Sequence, residues 1–539
     1  MDSINSALQK RNYSPLTLVL GGAAAGLLLR VVYKDIIKPG DYFVRARSFG
    51  NRVIRVVARG KIQSEIDKSA AAIKFDAIPA EHLYGTEAMC ALPEKGLPAQ
   101  EIVMRSKGVA SKLHRSFEKG IFSGTVYLAT PELTNMVNEV QSIFQWTNPL
   151  HPETFPGCRL MECQVVSMCV TMYRGKLGEA CGTVTSGGTE SIMMAMKTYR
   201  DWGLDKKGIT EPEIVLPATA HPAFNKAAQY FHLRIRVAGI DEKTGRVDIA
   251  QVKRLVNSNT VVIVGSAPNW PNGAIDDIPA LAAIARSTGC GMHVDACLGS
   301  FVVPFLREDV KALTGIEGYD FAIEGVTSIS CDTHKFGGAP KGTSVLMYAS
   351  QALRRYQYYT ISSWPGGIYA SPGMAGSRPG NVIAGAWAAM MYYGREGYRK
   401  NALEIVAAAR RFAAAISAIP ELQIYGQPVS TTICFVAKDP NTFDILRLYQ
   451  LMKEKGYDFN MTQFPSAFNI CFTLMHTFPG NLEKIIESVK DCVAQMRAKP
   501  SKASGAVAMY GSTQTVHDRT IVEDVMKFYF DHYYDLQNN

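Results

Sequence analysis

Between residues 155 and 375 the chain repeats one arrangement. A short apolar or β-branched run ends in polar or glycine residues, and a stretch of helical spacing follows. The runs are "EIVLPATAH", "VVIVGSAPN", "CGMHVDACLG", "SISCDTHKFG" and "GTSVLMY". Strands of this kind, separated by helices, predict an α/β domain with a mostly parallel sheet covered on both faces. Ligands in such sheets gather beyond the carboxyl ends of the strands. The residues that close the runs are therefore the ones in which to look for chemistry.

A second region follows "GSRPGN" at 376–381. It holds an Ala-rich helix, "IVAAARRFAAAISAI", strand candidates "TTICFVAK" and "FNICFTLM", and closing helices near 483–497 and 518–537. This predicts a smaller C-terminal α/β domain. The organisation expected is a stub, an apolar helix and a basic linker over 1–60, a helical segment over 61–140, a large domain over 141–380, and a small domain with a tail over 381–539. At 539 residues, 47% hydrophobic and 19% charged, the chain is long enough for such a division and for a large core. Its eleven cysteines show no CxxC and no Cys/His cluster of zinc type, which predicts reduced, buried thiols and no metal site.

The net charge of +9 is concentrated at one end. Residues 1–61 hold eleven Lys/Arg against three acids, so the rest of the chain is near neutral. A near-neutral body offers no basic face for nucleic acid. The run Leu16–Leu29 carries no charge, and with Val31, Val32 and Tyr33 it approaches the roughly 20 residues that span a hydrocarbon core. Arg30 can extend its charge to the headgroups. The residues after the run are Arg, Tyr and Lys, not a small-residue cleavage site. The expectation is a single transmembrane helix at about 15–33, with the basic side and the body in the cytosol.

Lys335 in "CDTHKFGGAPKG" stands among groups too small to shield it, a setting suited to a lysine that must reach a flat cofactor and form an imine. Asp295 closes the "HVDACLG" strand, where an acid can pair with a protonated pyridine nitrogen. "TSGGTES" at 185–191 places glycines and hydroxyls at a helix start, where backbone N–H groups and the helix dipole bind phosphate. It lacks the lysine that a Walker A motif needs. His221 in "ATAHPAF" also ends a strand and could lie flat on a ring. Each has a plainer reading when taken alone: a solvated lysine, a capping acid, a capped helix, a structural histidine.

In this order the four stretches resemble pyridoxal-phosphate enzymes of the aspartate-aminotransferase type, fold type I. The resemblance narrows to the sphingosine-1-phosphate lyase family, within the group II decarboxylase-like branch. It covers nearly the whole chain and is carried by "NPLHPETFPG", "TSGGTES", "HVDACLGSF", "GVTSISCDTHKFGGAPKG" and "GGIYASPGMAGSRPG". It implies pyridoxal 5'-phosphate, a homodimer with shared active sites, an anchor in the endoplasmic reticulum membrane and a cytosolic catalytic domain. It implies that Lys335 forms the imine and that His334 lies near the cofactor phosphate. Gly188 and Thr189 would hold that phosphate from one subunit, with Ser377 reaching it from the other. Tyr127, Asn148 and His151 would line the pocket, Lys341 and Tyr369 would lie near the substrate phosphate or the reacting hydroxyl, and Tyr510 is a further candidate. The reaction implied is retro-aldol cleavage of the C2–C3 bond of a phosphorylated sphingoid base. The alternatives are an amino-acid decarboxylase on the same apparatus, for which an N-terminal apolar run has no purpose, and an inactive scaffold on the same fold.

Overall fold

The computed structural model describes residues 92–113, 116–505, 507, 508, 511, 514 and 520–534. The apolar run at 16–33 and the basic linker lie outside the described residues, and among those described no helix is long and apolar enough to cross a membrane. The chain divides into two compact units. One contains the helices Ala99–Leu113 and Thr520–Tyr533. The other, Arg115–Gly511, contains every strand among the described residues.

Seven strands of that second unit form its main sheet: β1 (Cys181–Thr185), β2 (Glu213–Pro217), β3 (Arg234–Ala238), β4 (Thr260–Ser266), β5 (Gly291–Asp295), β6 (Ser328–Cys331) and β7 (Ser344–Tyr348). Their order is β1-β7-β6-β5-β4-β2-β3. β4 is "TVVIVGS", and all seven of its residues are buried, as a strand covered on both faces requires. Helices fill the crossovers, and their starts are written in the sequence. Asp248 caps Ile249–Leu255 by accepting from Gln251 N–H, and Asp277 caps Ile278–Thr288 by accepting from Ala280 N–H.

The sheet is mostly parallel, as the sequence pattern suggested, and is made mixed by one reversed strand. Strands β2 to β6 run parallel, but β7 is antiparallel to both β6 and β1. The cause is the connection between β6 and β7, residues 332–343. It is a run of turns with no helix, too compact for the helical crossover that a parallel partner needs. β7 therefore returns along β6 and begins at the edge where β5 and β6 end. That edge receives both ends of the 332–343 loop, including Lys335 and Lys341.

Two short strands, β8 (Tyr359–Ile361) and β9 (Tyr369–Ser371), pair as a separate hairpin. Beyond the long helix Gly380–Ser417, a four-stranded antiparallel sheet is built from β10 (Leu422–Ile424), β11 (Thr432–Ala437), β12 (Asn460–Thr462) and β13 (Ala467–Cys471), in the order β10-β11-β13-β12. Phe412 of the long helix packs against Phe435 and Phe472, with ring centroids 5.9 and 5.2 Å apart. Asn469 ties this sheet to the loop after β4 by donating to the carbonyls of Trp270 (2.8 Å) and Pro271 (2.9 Å). The ten described cysteines are free thiols, nine of them buried, as expected.

Packing beneath the main sheet is tight at Gly291, the first residue of β5. A Cβ there would lie 2.2 Å from Tyr199 Cε1. The Tyr199 ring is fixed by hydrogen bonds from its hydroxyl to Ser328 Oγ (2.6 Å) and Thr327 Oγ1 (2.7 Å), so it has nowhere to turn. Gly291→Ala is expected to cost about 1–3 kcal/mol of overpacking, read as a fall of several degrees in Tm by circular dichroism. An unchanged Tm would show that the ring yields freely.

Candidate active site

Lys335 lies in the loop between β6 and β7, and this loop is held from several sides. Tyr398 donates its hydroxyl to the Gly337 carbonyl (2.8 Å), and His334 Nδ1 donates to the Thr343 carbonyl. Gly338 adopts φ +68°, the left-handed region that glycine enters without strain. Lys335 Nζ is 2.8 Å from Asp332 Oδ2. Burial disfavours the lysine charge, but the adjacent Asp332 carboxylate outweighs it and holds the ammonium above the ordinary lysine range. Asp332 is 1% exposed. Burial pushes its carboxyl up, while Lys335 and His334 pull it down, and the net result lies below the usual carboxylate value.

The start of the helix Gly188–Lys207 comes against this pair. A Cβ on Gly188 would lie 2.7 and 2.8 Å from the two Asp332 oxygens and 3.0 Å from Cys297 Sγ. Only glycine lets the helix start come so close to the lysine loop. The first-turn N–H groups have no partner within the helix, which makes this terminus an anion site. Beneath it, Thr185, Ser191 and Ser344 form a chain of hydroxyls at 2.7 and 2.8 Å that joins β1, the helix and β7. Glu190 accepts from Ser186 N–H (2.7 Å) and from Met374 N–H (2.9 Å), so it draws the 371–378 loop to this helix start.

Asp295 closes β5, in register with Ser266 of β4 and Ser330 of β6. Its Oδ1 accepts from Cys297 N–H (3.1 Å) and Ser330 Oγ (3.3 Å). Among the described residues no hydrogen bond engages Oδ2, which is left to face a ligand. Two residues earlier, buried His293 lies between Ser328 Oγ (2.7 Å) and Ser330 Oγ (3.3 Å). Burial lowers its pKa to about 4, so it supports Asp295 as a neutral ring. His221 follows β2. Its Nδ1 accepts from Ala223 N–H (3.1 Å), which places the ring proton on Nε2, and the residue is exposed.

Tyr127 arrives from the other sheet. Gly124 N–H donates to the Cys471 carbonyl at the end of β13 (2.9 Å), and Leu474 N–H donates to the Tyr127 carbonyl (3.0 Å). The Tyr127 ring meets Phe336 edge-on with centroids 4.8 Å apart. Lys341 Nζ stands 5.0 Å over the same ring and donates to the His334 carbonyl (3.4 Å). Burial and the Lys335 ammonium hold Lys341 below the ordinary lysine value, whereas burial pushes Tyr127 well above the tyrosine range. Tyr127, His334, Lys335 and Lys341 line one cavity of about 280 Å³, together with apolar Leu128, Leu133 and Val137.

The remaining residues expected from the sequence form a second group. Asn148 donates to Ser377 Oγ (3.0 Å) and accepts from Leu150 and Arg378 N–H groups (3.0 and 3.2 Å). A Cβ on Gly376 would lie 2.8 Å from the Tyr369 hydroxyl, which places Tyr369 beside Ser377. His151 is exposed in the turn after Asn148. None of these four lines the cavity around Lys335. Thr189 is exposed at the helix start, and Tyr510 lies outside the described residues. Asp332 is the functional group that sequence reasoning missed. Its signal was available: an acid ending a strand, three residues before the lysine.

These residues fit pyridoxal phosphate. There is a lysine to bind its aldehyde carbon and an acid with one oxygen unengaged for the ring nitrogen. The helix start beside them is open because its glycine has no Cβ. Thr219 Oγ1 after β2, Ser300 Oγ after β5 and Thr333 Oγ1 after β6 are buried without a hydrogen-bond partner, as polar atoms awaiting a ligand would be.

Residues 126–438 match the pyridoxal-dependent decarboxylase conserved domain. Sphingosine-1-phosphate lyase of Drosophila melanogaster is 42% identical over 473 residues, covering 88% of this chain and 83% of that protein. Sphingosine-1-phosphate lyase 1 of Rattus norvegicus is 39% identical over 529 residues, covering 97% and 90%. The solved structure of Burkholderia pseudomallei sphingosine-1-phosphate lyase superimposes with a TM-score of 0.77 at 36% identity, covering 85% of this chain and all of that one. With the lysine, the acid and the glycine-opened helix start in place at the sheet edge, the chain belongs to the sphingosine-1-phosphate lyase family of pyridoxal-dependent enzymes.

Proposed function

We propose that the protein cleaves the C2–C3 bond of phosphorylated sphingoid bases, releasing a long-chain aldehyde and phosphoethanolamine. The observation that carries this reading is a lysine, a strand-end acid and a glycine-opened helix start at one sheet edge, in a chain 42% identical to a sphingosine-1-phosphate lyase. The cofactor is pyridoxal 5'-phosphate, which when bound supplies a protonated ring that accepts the electron pair freed at C2. Lys335 would hold it through Nζ, Asp295 would keep its ring nitrogen protonated, and the N–H groups at Gly188 and Thr189 would receive its phosphate. His221, at the end of its strand, would contact the ring, and His334 would border the phosphate.

Burial and neighbouring charge divide the remaining roles. Lys341 is held below the ordinary lysine value, so it gives up its proton more readily and suits the base that takes the C3 hydroxyl proton. Tyr127, held above the tyrosine range, stays protonated and donates. The apolar lining at Leu128, Leu133 and Val137 suits the start of a hydrocarbon chain.

The same reading includes a homodimer. Trp364, Ile368 and Met374, in the segment that carries Tyr369 and Ser377, are 54%, 84% and 55% exposed, and a second copy covering them would bring Ser377 and Tyr369 toward its own site. It also includes a membrane anchor at 16–33 in the endoplasmic reticulum with a cytosolic body. The basic excess after the apolar run supports that orientation, and an amphiphilic substrate gives the anchor a purpose.

Purified protein given sphingosine 1-phosphate is expected to yield aldehyde and phosphoethanolamine by mass spectrometry, and glutamate to yield no carbon dioxide. Lys335→Ala should lower turnover by roughly 10³-fold or more, as loss of a covalent catalyst does, with borohydride labelling of this lysine lost. A label that persists on Lys341 would overturn the assignment. Asp295→Asn should retain cofactor by absorbance while cleavage falls by roughly 10²-fold or more; near wild-type turnover would return Asp295 to a structural role. Deletion of residues 1–60 should release a soluble dimer by light scattering that cleaves detergent-dispersed substrate at the full-length rate and vesicle-embedded substrate more slowly. Equal loss on both substrates would sink the anchor reading.

A further inference from the structure

Asp332 is the nearest charged partner of Lys335, and the roles above leave it without one. Its Oδ2 lies 2.8 Å from Lys335 Nζ, and its Oδ1 is buried and accepts no hydrogen bond. Its place is set by β6, which it immediately follows, and by Gly188, whose missing Cβ leaves room for the carboxylate. The other titratable groups facing the pair are His334, Lys341, Tyr127, Cys297, Cys331 and Cys471, with Asp295 beyond Cys297. His334 Nε2 is 3.8 Å from the same Asp332 oxygen, and burial disfavours its charge. Burial keeps Tyr127 and the three thiols protonated, and Lys341 repels Lys335. Asp332 is thus the only anion hydrogen-bonded to Lys335 among the described residues.

We propose that Asp332 is a positioning residue that docks the Lys335 ammonium whenever that nitrogen is not covalently engaged, so that the lysine returns a proton to C2 after the C2–C3 bond has broken. The inference rests on the cleavage reaction proposed above. In that step C3 leaves as the aldehyde carbon and its bonding pair stays with C2. An N–H bond of Lys335 then breaks as a C2–H bond forms, and the nitrogen becomes a neutral amine. The amine no longer pairs with Asp332 and is free to displace the product. An ammonium that loses its counter-ion in a buried site gives up its proton to whatever is near, or swings away, before the carbon needs it.

The test is a quenched single turnover of full-length holoenzyme on sphingosine 1-phosphate, with both products measured. Wild type is expected to form aldehyde and phosphoethanolamine in step. In Asp332→Asn, phosphoethanolamine should lag the aldehyde by roughly tenfold or more, as loss of a placed proton donor predicts. Asp332→Glu should bring the two back into step. A purely structural role would slow both products alike, so products in step in Asp332→Asn, at whatever rate, overturn the proposal. A wild type that makes no aldehyde refutes the cleavage reading instead. Should Asp332→Asn fail to hold cofactor, competitive acetylation of Lys335 across pH in the full-length, cofactor-free protein decides the matter. Its midpoint should fall by more than about one pH unit from wild type to Asp332→Asn, and an unchanged midpoint overturns the proposal.

Discussion

The connection from β6 to β7 is the constraint on which the rest of the site depends. Residues 332–343 make turns and no helix, so β7 can only come back antiparallel. The lysine loop is therefore pinned at both ends to one edge of the sheet. The parallel strands β4, β5 and β6 end on that same edge, and the helix after β1 begins there. A longer, helical crossover would have put β7 in parallel and carried Lys341 and Thr343 to the opposite edge. The single reversed strand assembles residues from β1, β5, β6 and β7 in one place, and it does so through backbone pairing alone.

Charge at that edge is sorted by burial. Asp295 and Asp332 end neighbouring strands, yet they have different neighbours. Asp295 accepts from two hydrogen-bond donors, and one of them, Ser330 Oγ, is also bonded to neutral His293. Asp332 faces a full positive charge at 2.8 Å. Burial alone would raise the Asp332 carboxyl and depress both lysines. The pairing of Asp332 with Lys335 reverses this for one lysine and leaves it in force for the other, so two lysines six residues apart end on opposite sides of the ordinary value. Opposed shifts of this kind in one cavity separate a group that is held protonated, as a donor must be, from one that is readily deprotonated, as a base must be.

Much of this was legible in the chain. Strand-end positions pointed to Asp295, His221 and Lys335, and the glycines at 187 and 188 pointed to the helix start, because such features are local. The antiparallel β7 was not read, since "GTSVLMY" is as apolar as its parallel neighbours and direction leaves no mark on composition. Asp332 carries no decisive mark of its role in the sequence, where an acid three residues from a lysine is compatible with a solvated pair. What separates it here is burial, a property of the fold. Tyr127 could be named only by resemblance. Its place depends on backbone bonds to Cys471 and Leu474, more than three hundred residues away, and no local pattern encodes those. The link between Asn148 and Ser377, 229 residues apart, is of the same kind.

That dependence of Tyr127 on β13 has a consequence for how the chain tolerates loss. All seven strands of the main sheet, the lysine loop, both strand-end acids and the glycine-opened helix start lie before residue 349. The bonds that place Tyr127, and with it the wall under Lys341, come from residues 471 and 474. A message spliced or cut short ahead of β10 would still encode Lys335, both acids, the glycine-opened helix start and the side chains that line the cavity. It would not encode the backbone groups of residues 471 and 474 that hold Tyr127 in place. Such a product would carry the side chains of the site without the strand that sets one of its walls and without the part of the shared core that residues 422–496 supply.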